Sequence, residues 1–124
     1  MMQRFTELRV WQEGREVVAE VYRLTASFPK NEIFGLTSQL RRCAVSVVAN
    51  IAEGSKRRSG KEYAHFLNVA EGSLAESECL LLLSQDMGFV NEPVCAALRA
   101  RIAKIAGMLS NLRERVETEA ECAR

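Results

Sequence analysis

The stretch Gly54-Ser55-Lys56-Arg57-Arg58-Ser59-Gly60-Lys61-Glu62, GSKRRSGKE, decides the fold. Two glycines, a lysine after the second and a basic middle invite comparison with a phosphate-binding loop. That motif is GxxxxGK followed by Ser or Thr, set between a buried strand and a helix. Here five residues separate Gly54 from Gly60, one too many, and Glu62 stands where a metal-binding hydroxyl belongs. The residues before it, QLRRCAVSVVANIAEG (39–54), carry their apolar side chains at helical spacing rather than as a strand. The stretch therefore reads as a connection between two helices. Gly54 suits a helix C-terminus, where a left-handed residue lets the chain exit. Ser59-x-x-Glu62 is a capping box that starts the next helix.

Working outward, the spacing predicts helices over about 8–26, 34–53, 60–87 and 92–117, with a polar, frayed tail from Thr118 to Arg124. In the first, Val10, Trp11, Val17, Val18, Val21 and Tyr22 share a face, with Thr6 as a candidate N-cap, and Phe28-Pro29 ends the segment. In the second, Leu36, Leu40, Cys43, Ala44, Val47 and Ile51 step by three and four. The third carries a stripe through Tyr63, Phe66, Leu67, Ala70, Leu74 and Leu81, with Val69, Leu80, Leu83 and Met87 widening it beyond one seam. Gly88 stops it, and Asn91 caps the fourth, whose Val94, Leu98, Ile102, Ile105, Leu109, Leu112 and Val116 repeat like a coiled-coil seam. Long helices joined by short loops predict one all-α domain over 1–124, an antiparallel up-down-up-down four-helix bundle.

The composition agrees. The chain has 124 residues, 48% of them hydrophobic and 27% charged, enough for one folded core. A net charge of +1 argues against a nucleic-acid binder acting through its whole surface, while leaving room for a local basic patch. The cysteines Cys43, Cys79, Cys95 and Cys122 form no CxxC pair, and His65 is the one histidine, so no metal or other cofactor is expected. Cys43, Cys79 and Cys95 read as small buried apolar residues in a reducing compartment, and Cys122 as an exposed thiol. The N-terminus lacks the apolar core of a signal peptide, and the longest apolar run, Leu80–Leu83, is far short of a membrane span. A cytoplasmic location and no membrane partner are the resulting expectations.

Several polar residues stand out against this plain pattern. Asn50 and Glu53 share a face in the last turns of the second helix, where a carboxylate opposes the helix dipole. The basic loop is the nearest compensation. Gly72 and Ser73 in mid-helix permit close approach of a neighbour. A hairpin turning near residue 57 would bring Glu76 beside Arg41 or Arg42, as a semi-buried ion pair that sets register. It would also bring His65 near residues 49–53. Glu53, His65 and Glu76 are the one conceivable acid–base set, without recognisable catalytic or metal spacing, so no enzymatic activity and no catalytic residue are expected.

SQLRRCAVSVVANIAEGSKRRSGKEYAHFLNVAEGSLAE (38–76), with LRVWQEG and FPKNEIFGLTSQLRR before it and MGFV after it, closely resembles the bacterial four-helix-bundle family named after proteins encoded in intervening sequences of 23S rRNA. The ordered motifs LTSQLRR, NIAEG and GSLAE carry the resemblance, which spans about Leu8 to Leu112. It implies a bundle assembled into a ring-shaped pentamer and no established enzymatic activity. Its genomic setting suggests a link to ribosomal RNA. One departure is Val48, where the family commonly has a proline, so the second helix is expected to run straighter here.

Two function classes then compete. In one, an oligomer contacts RNA or DNA phosphates through Lys56, Arg57, Arg58 and Lys61, helped by Arg42. With no aromatic in the loop, sequence specificity would be weak. In the other, the bundle is a scaffold for a protein partner, using the extra apolar surface of the third helix and the small residues Gly72, Ser73 and Ser77. Arg41, Asn50, Glu53, Gly54, Gly72, Ser73 and Glu76 would then serve a polar network or an interface. A small-molecule enzyme is a distant third.

Overall fold

A computed structural model describes residues 4–122. Residues 1–3 and the last two of the expected frayed tail lie outside the described residues. Four helices account for most of the chain: α1 (Arg9–Thr25), α2 (Leu36–Ser55), α3 (Gly60–Asp86) and α4 (Glu92–Cys122). Short 3₁₀ turns at Phe5–Glu7 and Lys30–Glu32 precede α1 and α2, and no strand occurs among the described residues. Contacts fix the directions. Cys43 meets Ser77 and Ser46 meets Ser73, so α2 and α3 are antiparallel. Arg99 reaches Glu78 and Arg113 reaches Glu71, which sets α4 against α3. Arg41 reaches Thr25, and Arg101 reaches Glu20, which sets α1 against both α2 and α4.

The apolar stripes meet in one core, whose fully enclosed side chains include Val21, Leu40, Ile51, Leu67, Leu81, Ile105 and Leu109. At one end, the Phe28 and Phe89 rings pack at 5.5 Å and join the α1–α2 and α3–α4 connections. Ser59 starts α3 as expected, its hydroxyl accepting from the Glu62 N–H at 3.1 Å. Asn91 starts α4 in the same way, accepting from the Val94 N–H. Gly88 stops α3 with a φ of 79°, a left-handed residue that frees the chain to turn while Phe89 N–H closes onto the Ser84 carbonyl.

Several boundary expectations are corrected. Helix α2 continues through Gly54, which is therefore not its left-handed exit residue. Gly54 is buried because α3 crosses there. A Cβ on it would lie 2.7 Å from the Phe66 Cβ and 3.1 Å from the Tyr63 ring. Thr6 does not cap α1; it lies in the preceding 3₁₀ turn, and its carbonyl accepts from Gln12. Helix α4 runs on through Thr118 to Cys122, since Ala120 packs against Gly60. Val48 leaves α2 helical throughout, and Gly14 makes room for it: a Cβ on Gly14 would lie 2.9 Å from a Val48 methyl. Cys79 is exposed rather than buried, because the α3 core stripe passes through Ser77 and Leu80–Leu81.

Two pairs of residues test this packing. A Gly-to-Ala change inside a helix normally stabilises by up to about 1 kcal/mol. Gly72→Ala, which meets open space, should raise the denaturant midpoint accordingly. Gly54→Ala should instead lower stability by about 1 kcal/mol or more, because the Phe66 Cβ cannot swing aside. The thiols divide in the same manner. Burial pushes the Cys43 and Cys95 thiols up from their ordinary pKa, against an opposing hydrogen bond with Ser77 at Cys43. A thiol–disulfide reagent at neutral pH should label Cys79 and Cys122 at once, and Cys43 and Cys95 only after unfolding.

Candidate functional site

The basic connection forms between two tightly placed helix ends. Arg57 folds back along α2, donating to Glu53 at 2.8 Å, and its guanidinium lies 4.9 Å from the centroid of the Phe66 ring. The loop cation thus offsets the carboxylate that opposes the α2 dipole, as the sequence suggests. Arg57 is consequently engaged within the chain. Lys56, Arg58 and Lys61 are exposed and make no ion pair among the described residues. Arg58 and Lys61 edge a broad groove of about 1210 Å³ between the first turns of α3 and the last turns of α4. Its far wall carries Arg113 but also Glu114, Glu117 and Glu121, so the charge there is mixed. Tyr63 stands at the same end, and burial pushes its hydroxyl above its usual pKa.

The polar seam between α2 and α3 is a second expected feature. The Ser46 and Ser73 hydroxyls meet at 2.8 Å, and Asn50 donates to the Ser46 carbonyl and hydroxyl at 2.8 and 3.0 Å. Below them, the Cys43 thiol and Ser77 hydroxyl meet at 3.1 Å, and Ser77 also donates to the Ser73 carbonyl. Asn50 and Ser73 therefore share one network, while Glu53 turns the other way to Arg57. Ser77 is fully buried in this seam, so it offers nothing to a partner. Gly72 lies outside it, exposed, with no neighbour of this chain within 4 Å of an added Cβ.

The expected ion pair between Glu76 and Arg41 or Arg42 does not form. Arg41 turns toward α1, where its Nε donates to the Thr25 hydroxyl at 2.7 Å and its guanidinium sits 4.5 Å from the Tyr22 ring centroid. Thr25 is free to accept because its own proton goes to the Val21 carbonyl. Arg42 and Glu76 are both exposed on the edges of one shallow groove, without an ion pair between them. The acid–base set also stays apart. Glu53 is held by Arg57, and His65 faces the α3–α4 groove, edge-on to Phe66, rather than residues 49–53. Among the described residues no group of three or more His, Cys, Asp or Glu could hold a metal ion. None of the described helices is long and apolar enough to cross a membrane.

Sequence reasoning passed over the ion pairs that tie α4 to its neighbours. Arg101 binds Glu16 and Glu20 on α1, and Lys104 binds Glu13. Arg113 binds Glu71 on α3 and Glu117 on its own helix, and the Glu71 hydrogen bond holds its guanidinium above the ordinary pKa. The available sign was the row Glu13, Glu16, Glu20 on α1 facing a basic flank of the α4 seam. Thr25 was equally hidden, although a threonine at an otherwise apolar heptad position marks it. Phe34 was not singled out, and it is 91% exposed.

No curated protein gives a significant match to the chain. The profile of the 23S rRNA-intervening sequence protein family matches residues 6–111, which takes in α1, α2, α3 and most of α4. That span includes the ordered motifs around the α2–α3 seam, and the chain belongs to the 23S rRNA-intervening sequence protein family.

Proposed function

We propose that the protein is a non-enzymatic scaffold, cytoplasmic, built as a ring of five copies, that works by binding another macromolecule. The observation that carries this reading is Phe34, a large apolar ring left 91% exposed. It does not stand alone. Met87, 62% exposed, follows α3 at the same end of the bundle. Burying such a side chain is worth about 1.5–3 kcal/mol, so a chain that leaves this group in water gains by covering it with another surface. A second copy would supply such a cover, and contact between unlike faces gives a ring where the rotation between copies closes.

A second reading gives the function to the basic loop. Lys56, Arg58 and Lys61 lack carboxylate partners, and five copies would multiply a small phosphate-binding patch. Two features weigh against it. Arg57 is already paired with Glu53, and the neighbouring wall of α4 sets Glu114 and Glu121 beside the Arg113–Glu117 pair.

Light scattering coupled to gel filtration should give five times the 13.9 kDa mass of one chain. Phe34→Glu should reduce that mass while leaving the melting temperature of the chain itself nearly unchanged, since the ring makes little intrachain contact. A structured, labelled RNA should show little anisotropy change at about 150 mM salt. RNA binding that persists there and disappears in Arg58→Glu with Lys61→Glu would move the function to the loop.

A further inference from the structure

The groove between α1 and α2 has a chemistry unlike the rest of the surface. It measures about 460 Å³ and is lined by Tyr22, Ile33, Arg41, Arg42, Val45 and the hydroxyls of Thr37, Ser38 and Ser46. Two guanidinium groups stand in this lining and no carboxylate does. The chain as a whole is nearly neutral, at +1, so the local balance is a concentration of positive charge. Arg57, Arg99, Arg101 and Arg113 each bind a glutamate. Arg41 and Arg42 do not.

Arg41 is also held in place. Its Nε donates to Thr25, its Nη2 reaches the Tyr22 carbonyl at 3.5 Å and its guanidinium carbon lies 4.5 Å from the Tyr22 ring centroid, so the group is oriented before any ligand arrives and Nη1 is left without a partner in the chain. A pre-oriented guanidinium loses little conformational freedom on binding a carboxylate, and Arg suits that planar, two-point contact. Arg42, exposed and unpaired, supplies a second charge one residue along. The lining also holds apolar side chains: Ile33 is 50% exposed and Val45 39% exposed. Of the nearby acids, Glu32 accepts from the Leu36 N–H at the start of α2, and Glu76 stands across the adjoining shallow groove from Arg42 without an ion pair to it.

We propose that this groove binds an acidic peptide segment of a partner protein, one that places a large apolar side chain within a turn of its carboxylates. The carboxylates meet Arg41 and Arg42, and the apolar side chain covers Ile33 and Val45. A polynucleotide is the poorer match. Its backbone needs a continued track of cations, and here Ile33, Val45 and the Tyr22 ring interrupt the surroundings of the two arginines. The basic loop cannot extend the track, because Lys56 lies at the other end of α2, about 21 Å along the helix from Arg42. The proposal rests on the scaffold reading and deepens it by naming the chemistry of the partner.

The test uses the full chain and a fluorescein-labelled peptide of about twelve residues with Glu and Leu spaced for one helical face. A matched peptide carries Lys for each Glu, and an RNA dodecamer is a third probe. The acidic peptide should bind saturably, and the lysine peptide about tenfold more weakly or worse. Arg42→Glu and Val45→Gln, both at exposed positions, should each weaken the acidic peptide about tenfold with an unchanged circular dichroism melt. Equal binding of both peptides, no binding of the acidic one, or unchanged binding in Arg42→Glu would overturn the proposal. So would RNA binding that Arg42→Glu abolishes while the peptide stays unbound. If the chain assembles yet the acidic peptide fails, the groove assignment alone falls. If it neither assembles nor binds, the scaffold reading falls with it.

Discussion

The close approach of α2 and α3 is the constraint from which the rest of the structure follows. At Gly54 the two helices touch with no side chain between them, Phe66 and Tyr63 lying where a Cβ would go. Further along, Ser46 meets Ser73 and Cys43 meets Ser77. Small residues let the helices near each other, and their hydroxyls then need partners, which each supplies to the other or to a carbonyl one turn back. No buried side-chain nitrogen or oxygen is left without a hydrogen bond among the described residues. A shift of one helical turn would part Ser46 from Ser73 and Cys43 from Ser77 and so lose both cross-helix hydrogen bonds. The seam therefore specifies register. A fixed register makes the 55–60 connection short and holds its cations at one end of the bundle.

Once α3 is placed, charge places α4. Glu71 and Glu78 are one face of α3 and take Arg113 and Arg99. Glu16 and Glu20 on α1 take Arg101 from the other flank of the same helix. Each such pair is half-exposed and contributes modestly to stability. Together they discriminate: a helix with basic residues on both flanks fits only between two acidic neighbours, and like charges would meet in any other order. Five cations, Arg57, Arg99, Arg101, Lys104 and Arg113, are matched by glutamates among the described residues.

How much of this was legible follows from which rules are local. The helices, their short connections and the Ser59 and Asn91 caps depend on residues a few positions apart, and periodicity shows them. Even the hairpin register was close: Ser46 meets Ser73 and Cys43 meets Ser77, within a turn of the expected alignment. That one turn mattered for side chains. Glu76 was assigned Arg41 or Arg42, yet Arg41 prefers a buried threonine hydroxyl and an aromatic face on α1, a competition that no spacing on α2 and α3 reveals. Gly54 illustrates the same limit. Glycine near a helix end suggests a left-handed exit, but the alternative, a crossing helix, depends on residues of the next element. Gly72 shows the converse, a mid-helix glycine that faces no neighbour of its own chain. The Arg101 and Arg113 pairs span more than 40 residues of sequence and were invisible for that reason.

The unmatched groups are distributed in a way that bears on function. Two sets of cations without an ion pair stand at Lys56, Arg58 and Lys61 on one end and at Arg41 and Arg42 toward the other, among others along the chain. Only the second set adjoins exposed apolar side chains, Ile33 and Val45 in the groove and Phe34 beside it. Charge without apolar area gives long-range attraction that salt screens within about 8 Å at physiological strength. Charge beside apolar area adds a short-range, salt-insensitive term and a shape, which is what selects one partner over others. A groove with two guanidinium groups remains a weak binder alone. Copies held in a ring would present it repeatedly at high effective concentration, so that affinity arises from assembly and selectivity from the groove. On the proposed reading the apolar end that gathers the copies and the basic groove beside it divide the work, which explains why neither is satisfied within a single chain.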